Sequence, residues 1–309
     1  MKYHKPIVRF LFLFLGFLSP YAQATLQVFA CEPEWAALVK ILGEDQVSVT
    51  TATTALQDPH QIEARPSLNA MARKADLLIC TGAELEIGWL PMVLEKANNP
   101  NILPGKTGHF LATDHVTLLE IPKTIDRSAG DIHAQGNPHI QLDPRNYLPI
   151  SQALAQTLAA LDPAHKADYQ NRFLHFKATW EENLARWETQ AQPLRGLPVI
   201  VHHHHWLYLN HWLGLNQVAT LEPKPGVLPR PTQLREVYNS VQHSPVAAIL
   251  ITPFESRQGA KWLSHKIHAP ILTLPFTVGG TPEATDLTSL FEISLQALLT
   301  AHGERAHAG

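Results

Sequence analysis

The chain is poor in cysteine and in charge. Two cysteines in 309 residues exclude a disulfide-dense scaffold and any four-cysteine zinc module. Charged residues make up 17% of the chain and the formal net charge is −3, so the composition offers no basic surface for nucleic acid. Beyond the first two dozen residues, no run is long and apolar enough for the ~20 residues that a spanning helix needs. The sequence also lacks H-E-x-x-H and G-x-S-x-G, which removes two common signatures of hydrolytic enzymes. Hydrophobic residues, at 45%, are at the usual share for a globular protein, and the length suits roughly two domains of about 150 residues. Histidine, by contrast, is abundant at 18 residues, and neutral imidazole is the commonest metal ligand.

Residues 1–24 read as an address. Lys2, Lys5 and Arg9 precede an apolar run from Ile7 to Leu18, and Ala22-Gln23-Ala24 supplies a small-residue cleavage site. This is the order of a secretory signal peptide, cleaved after Ala24. The run is too short for a membrane anchor. Val28-Phe29-Ala30-Cys31 loosely echoes a lipobox, but Cys31 stands thirteen residues past Leu18. Cleavage removes three basic residues and no acidic ones, which moves the net charge from −3 to −6. Export would place both cysteines in an oxidising compartment. Cys31 and Cys80 each follow an apolar run, so neighbouring strands would permit a disulfide between them; two buried free thiols are the alternative.

The mature chain, 25–309, alternates strands and helices. In the first half, strands are expected at 26–30, 47–51 and 77–80, with helices at 32–42, 66–74 and 84–97. Residues 104–145 are rich in Gly, Pro, His and Asp and read as loops. Helices follow at 147–161 and 164–191. In the longer one, Phe173, Phe176, Trp180, Leu184 and Trp187 recur every three or four residues, the spacing of an amphipathic helix. Strands are then expected at 199–201, 218–221, 246–251 and 271–274, and helices at 206–213, 231–241, 260–267 and 284–301. This predicts an α/β protein of two βα lobes with mainly parallel sheets, joined by one long linking helix. The first αβ lobe is placed at 25–146, the helical linker at 147–194 and the second αβ lobe at 195–309. Ligands of such sheets bind beyond the carboxyl ends of the strands, which makes the interlobe cleft the expected site.

Three histidine segments fall at strand ends or in nearby loops: Asp58-Pro59-His60, Asn137-Pro138-His139 and His202-His203-His204-His205-Trp206. In two of them a proline fixes the backbone just before the histidine. The scattered His109, His115, His165, His175, His211, His243, His265 and His268 read as surface or core residues.

Asp58-Pro59-His60, Asn137-Pro138-His139-x-x-Leu142-Asp143-Pro144 and His203-x-x-Trp206-x-Tyr208-Leu209-x-x-Trp212-Leu213-Gly214-Leu215 resemble the ZnuA-like or TroA-like periplasmic metal receptors of ABC transporters. Ala75-Asp76-Leu77-Leu78 and Gly82-Ala83-Glu84-Leu85-Glu86 extend the likeness over nearly the whole mature chain. The resemblance implies two αβ lobes tied by one long helix, with one divalent metal between them. It also implies His60, His139 and His203 as ligands, His202 or His204 replacing His203 if the register slips by one. The chain departs from the family pattern at the last strand, where Leu274-Pro275-Phe276 has no carboxylate. A second departure is Thr252, where an acidic residue is usual. The family's long His/Asp-rich loop is reduced to Asp131-Ile132-His133-Ala134-Gln135-Gly136, and His133 reads as a surface residue that could assist capture. A fourth ligand is left open among Glu222, water, Glu255 and Glu63.

Three imidazoles favour Zn²⁺ as the bound solute, with Mn²⁺ less favoured because it prefers oxygen donors. The expected role is capture of the ion in the periplasm and delivery to a membrane permease of a metal ABC transporter, by a monomer without stable membrane insertion. Binding should weaken as pH falls through about 6.5, where free imidazole protonates. Two other classes share these features: a zinc-dependent hydrolase with three histidines and a water, and a metal-buffering metallochaperone of the periplasm.

Overall fold

Alternation of side chains along the strands sets the layering. The computed structural model describes residues 25–124, 130 and 133–308; residues 1–24, expected to be a signal peptide, lie outside them. Strands β1 (Leu26–Ala30), β2 (Val47–Thr51), β3 (Leu77–Cys80) and β4 (His109–Leu111) form one parallel sheet in the order β2-β1-β3-β4. Strands β5 (Pro198–Val201), β6 (Asn216–Thr220), β7 (Ala248–Ile251) and β8 (Ile271–Thr273) form a second in the order β6-β5-β7-β8. The two halves thus share one topology, and in each the strand order reverses beside the first strand.

On the central strands, successive residues enter different cores. Val28, Ala30, Leu77 and Ile79 face one large apolar cluster, while Phe29, Cys31, Leu78 and Cys80 face a smaller one under α2 (Pro66–Lys74) and α3 (Leu90–Ala97). In the second sheet, Val199, Val201, Ala248 and Leu250 face that same large cluster. Ile200, Ile249 and Ile251 face a third cluster under α7 (Pro231–Val241) and α8 (Arg257–Ile267). The large core therefore runs without a break from one sheet to the other. It is filled by α1 (Pro33–Gly43), α4 (Tyr147–Leu161), α5 (Lys166–Gln190), α6 (Leu207–Leu213) and α9 (Leu287–Ala308).

Helix α5 has 25 residues, a length of about 37 Å at 1.5 Å per residue. It buries Tyr169, Phe176, Trp180 and Trp187, with Phe173 and Leu184 partly buried against the same core. The Trp180 ring centre lies 5.3 Å from Tyr147 and 5.8 Å from Phe291, which ties α4, α5 and α9 together. The Trp180 indole also donates to the Pro144 carbonyl at 2.7 Å, anchoring the loop that follows His139.

Two expectations need correction. The segment 104–145 contains a short edge strand, β4, which pairs with β3 through three residues. Helix α3 begins at Leu90 and not at residue 84. Pro91 lacks an N–H and fits only the first turn. Upstream of it, Gly82, Ala83 and Glu84 all have positive φ, at 88°, 47° and 67°. The Glu86 carboxylate folds back to accept the N–H groups of Thr81 at 2.8 Å and Gly82 at 3.1 Å.

Cys31 and Cys80 end the neighbouring strands β1 and β3 and are joined in a disulfide with Cα atoms 4.8 Å apart. Both are fully buried. Beside them lie three buried carboxyl groups, Glu32, Glu34 and Glu86. Burial pushes Glu34 and Glu86 up to about 7 and holds Glu32 well above the carboxylate range. Glu34 accepts a hydrogen bond from the Thr277 hydroxyl, which reaches it from beyond β8.

Removing the disulfide by the double change Cys31→Ala, Cys80→Ala should lower stability by about 2–5 kcal/mol, read by denaturant melts in oxidising buffer. A carboxyl group whose native pKa is raised stabilises the fold fully below its unfolded value, and that contribution is lost as pH rises through the native one. Glu34→Gln should therefore flatten the loss of melting temperature between pH 4.5 and about 7. The variant should melt above the parent at pH 8.

Candidate metal centre

Two loops of the first half use the same local device. In Asp58-Pro59-His60, the Asp58 carboxylate accepts the His60 backbone N–H at 3.0 Å and its ring Nδ1–H at 2.8 Å. In Asn137-Pro138-His139, Asn137 Oδ1 accepts the His139 N–H at 3.0 Å and its Nδ1–H at 2.9 Å. An Asx side chain thus closes a turn across a proline, which has no N–H to compete. The same oxygen sets the ring. Asn137 is itself held by its side-chain N–H donating to the His204 carbonyl at 3.1 Å, and its carbonyl accepts from the Tyr208 hydroxyl at 2.9 Å.

The second half supplies the run after β5. His203 Nδ1 is 2.6 Å from Glu222 Oε2, and Glu222, at the end of β6, also accepts the Gly226 N–H at 3.0 Å. In His60, His139 and His203, an oxygen acceptor fixes the proton on Nδ1 and leaves the lone pair on Nε2. Outer-partner hydrogen bonds of this kind orient imidazoles in metal sites.

The structure brings all three expected histidines together. The His60 ring centre lies 5.3 Å from His139 and 6.0 Å from His203, and His139 lies 6.0 Å from His203. It adds two more, His205 from within the run and His133, expected at the surface as an aid to capture. The His205 ring centre lies 4.1 Å from His203 and 4.9 Å from His139. The ligand-type atoms of His139, His203 and His205 lie within 4.8 Å of one another. His133 is not a free surface residue: its ring centre lies 5.3 Å from His60, with Nε2 3.3 Å from His60 Nε2. Of the open candidates, Glu222 is engaged by His203 through its outer nitrogen, and Glu63 is exposed. Glu255 is buried 3.5 Å from His205 Nδ1 and accepts the Thr252 N–H at 2.7 Å. His202 is buried behind the run, and His204 turns outward to Glu120 at 2.7 Å. Scattered histidines have other work: His109 bonds the Ile102 carbonyl, His165 bonds Asp162, and His211 meets Arg145.

The electrostatics favour neutral rings. Burial first, then the neighbouring histidines, hold His139 and His205 well below the ordinary imidazole value. The same causes push His133 down to about 4. Proton competition at these rings therefore begins at more acidic pH than for free imidazole. Burial raises Glu255 to about 8, so at neutral pH it is mainly protonated and adds little negative charge. His139 Nε2 is buried without a hydrogen-bond partner, a costly state unless the lone pair serves a ligand. Phe254 and Phe276 wall the site, with ring centres 5.8 and 5.0 Å from His205. A cavity of about 560 Å³, lined in part by Leu56, His60, His203 and Glu222, opens it to solvent. Converging imidazoles with anchored outer nitrogens can hold a divalent ion of the zinc type.

A family model described as zinc-uptake complex component A, periplasmic (ZnuA), matches residues 28–301. The manganese ABC transporter substrate-binding lipoprotein PsaA of Streptococcus pneumoniae is 22% identical over 284 residues, covering 90% of this chain and 88% of its own. A crystal structure of ZnuA superposes with a TM-score of 0.74 at 20% identity, over 89% of this chain and 98% of that one. A cadmium-bound periplasmic metal-binding protein from Candidatus Liberibacter asiaticus superposes with a TM-score of 0.71 at 18% identity, over 89% and 98% of the two chains. At these identities the solved structures establish the shared fold.

Asp58→Ala should leave His60 free to rotate and weaken divalent-metal binding about 10–100-fold. Isothermal titration would read this loss, with an unchanged circular dichroism spectrum excluding a folding defect.

Proposed function

Since the chain belongs to the periplasmic zinc-uptake component A family, we propose that it captures Zn²⁺ between its two lobes and delivers it to the membrane permease of an ABC transporter. The family as a whole is one of metal-binding, substrate-binding transport proteins. The finer reading, zinc over manganese, rests on the donor set. His60, His139 and His203 offer nitrogen from three separate loops, and manganese prefers oxygen-rich sites. The observation that carries the proposal is the matched pair of anchored rings, His60 on Asp58 and His139 on Asn137, facing His203 on Glu222. Each ring is oriented before the ion arrives, so little side-chain freedom is lost on binding.

In this reading residues 1–24 are a signal peptide cleaved after Ala24, and export leads to the periplasm. Residues 25–146 and 195–309 are the two αβ lobes, and 147–194 the helical linker between them. Among the described residues, no helix is long and apolar enough to cross a membrane. The ion enters through the open cavity beside His60 and His203 and is held by rings contributed from both sides of the cleft.

Competitive titration of the purified protein should give one tight zinc per chain, with manganese bound far more weakly. His60→Ala, His139→Ala and His203→Ala should each lose more than the about 10–100-fold that an outer partner contributes. Several weak zincs that ignore His60→Ala and His139→Ala would instead mean that the run 202–205 merely attracts metal.

A further inference from the structure

Zinc in a closed protein site takes four ligands in a tetrahedron, and three histidines leave one corner open. We infer that His133 supplies the fourth ligand, giving a site of four imidazoles. This deepens the zinc-receptor reading and rests on it.

The distance between two nitrogens carries the argument. Two ligands at 2.0–2.1 Å from a tetrahedral ion stand about 3.3–3.4 Å apart. His133 Nε2 lies 3.3 Å from His60 Nε2, and the Nδ1 proton of His60 is committed to Asp58. The His133 ring lies beside the backbone of Ala83 and Glu84. The adjoining Ala134 N–H donates to the Glu84 carboxylate at 2.7 Å.

This anchor accounts for an otherwise unexplained backbone. Ala83 and Glu84 are side-chain-bearing residues in the left-handed region, at φ 47° and 67°. Such conformations persist where the surroundings over-determine them, and they cluster at ligand clamps. Here the turn lies beside one imidazole and presents a carboxylate to the next N–H, which seats a loop residue beside His60.

His205 is the rival for the fourth corner. Its ring lies close to His139 and His203. But its Nδ1 faces Glu255 Oε1 at 3.5 Å without a hydrogen bond, and its ring packs against Phe254 and Phe276. It lacks the hydrogen-bonded oxygen that holds His60, His139 and His203, and we assign it to the wall of the site.

The consequence is selectivity. Four nitrogen donors suit zinc and its borderline neighbours, and they leave manganese without the oxygen ligands it prefers. His133→Ala should keep one zinc per chain but weaken it more than tenfold. Cobalt(II) and a thiolate scan decide the assignment, because the native cysteines are paired in a disulfide. Cobalt-loaded His133→Cys should show a thiolate-to-cobalt charge-transfer band, and His205→Cys should not. A band from His205→Cys alone would overturn the assignment in favour of His205. A band from neither, with His139→Ala still abolishing binding, would overturn it in favour of a water or carboxylate. If the parent protein binds no cobalt or zinc, the receptor reading itself falls and this inference with it.

Discussion

An imidazole has two nitrogens, and a metal can use one only if the other is settled. Most of what surrounds the centre settles those second nitrogens. Asp58 and Asn137 do it two residues upstream of their histidines, and Glu222 does it from the end of β6. The prolines at 59 and 138 remove the N–H that could compete for the Asx oxygen and fix the backbone between. Glu222 lies at the end of one strand and His203 after the next, because β5 and β6 are parallel neighbours. The sheet thus sets the distance between a ring and its anchor, and the centre depends on strand register as much as on the histidines.

The two sheets share one topology but use it differently. In the second, the crevice where strand order reverses, between β5 and β7, receives the histidine run and Glu255. This is where open parallel sheets bind their ligands. In the first, the matching crevice between β1 and β3 is closed by the disulfide and filled by Glu32, Glu34 and Glu86. The first lobe instead offers His60 from beyond β2, with His133 and His139 from the long connection after β4. One crevice holds the candidate metal centre and its counterpart a buried polar plug, joined to the other half by the bond from Thr277 to Glu34.

Much of this was legible in the residues. Strands β1, β2 and β3 and helices α2, α4 and α7 fall where apolar periodicity and the flanking Pro and Gly placed them. The three expected histidines also meet in space. The helix start at Leu90 was misplaced because apolar spacing continues upstream through Leu85, whereas Pro91 was the better marker. Strand β4 was missed because an edge strand of three residues has almost no period. His205 was hidden in a run of four identical residues, where only the geometry of the turn after β5 shows which rings point inward. His133 gave no local signal, since its anchor is a turn some fifty residues earlier in the chain. The Asx two positions before each of these histidines, next to the proline, is a signal of the anchor that the sequence does carry.

The unbroken apolar core bears on how the molecule comes apart. Neither sheet has a private inner layer: the face of β1 and β3 and the face of β5 and β7 are covered by the same set of helices. Opening either half would strip apolar cover from the other, so the two behave as one cooperative unit and not as two independently melting domains. A packing defect far from the histidines, for instance around Trp180 or Phe291, then lowers the population of every metal-competent geometry at once.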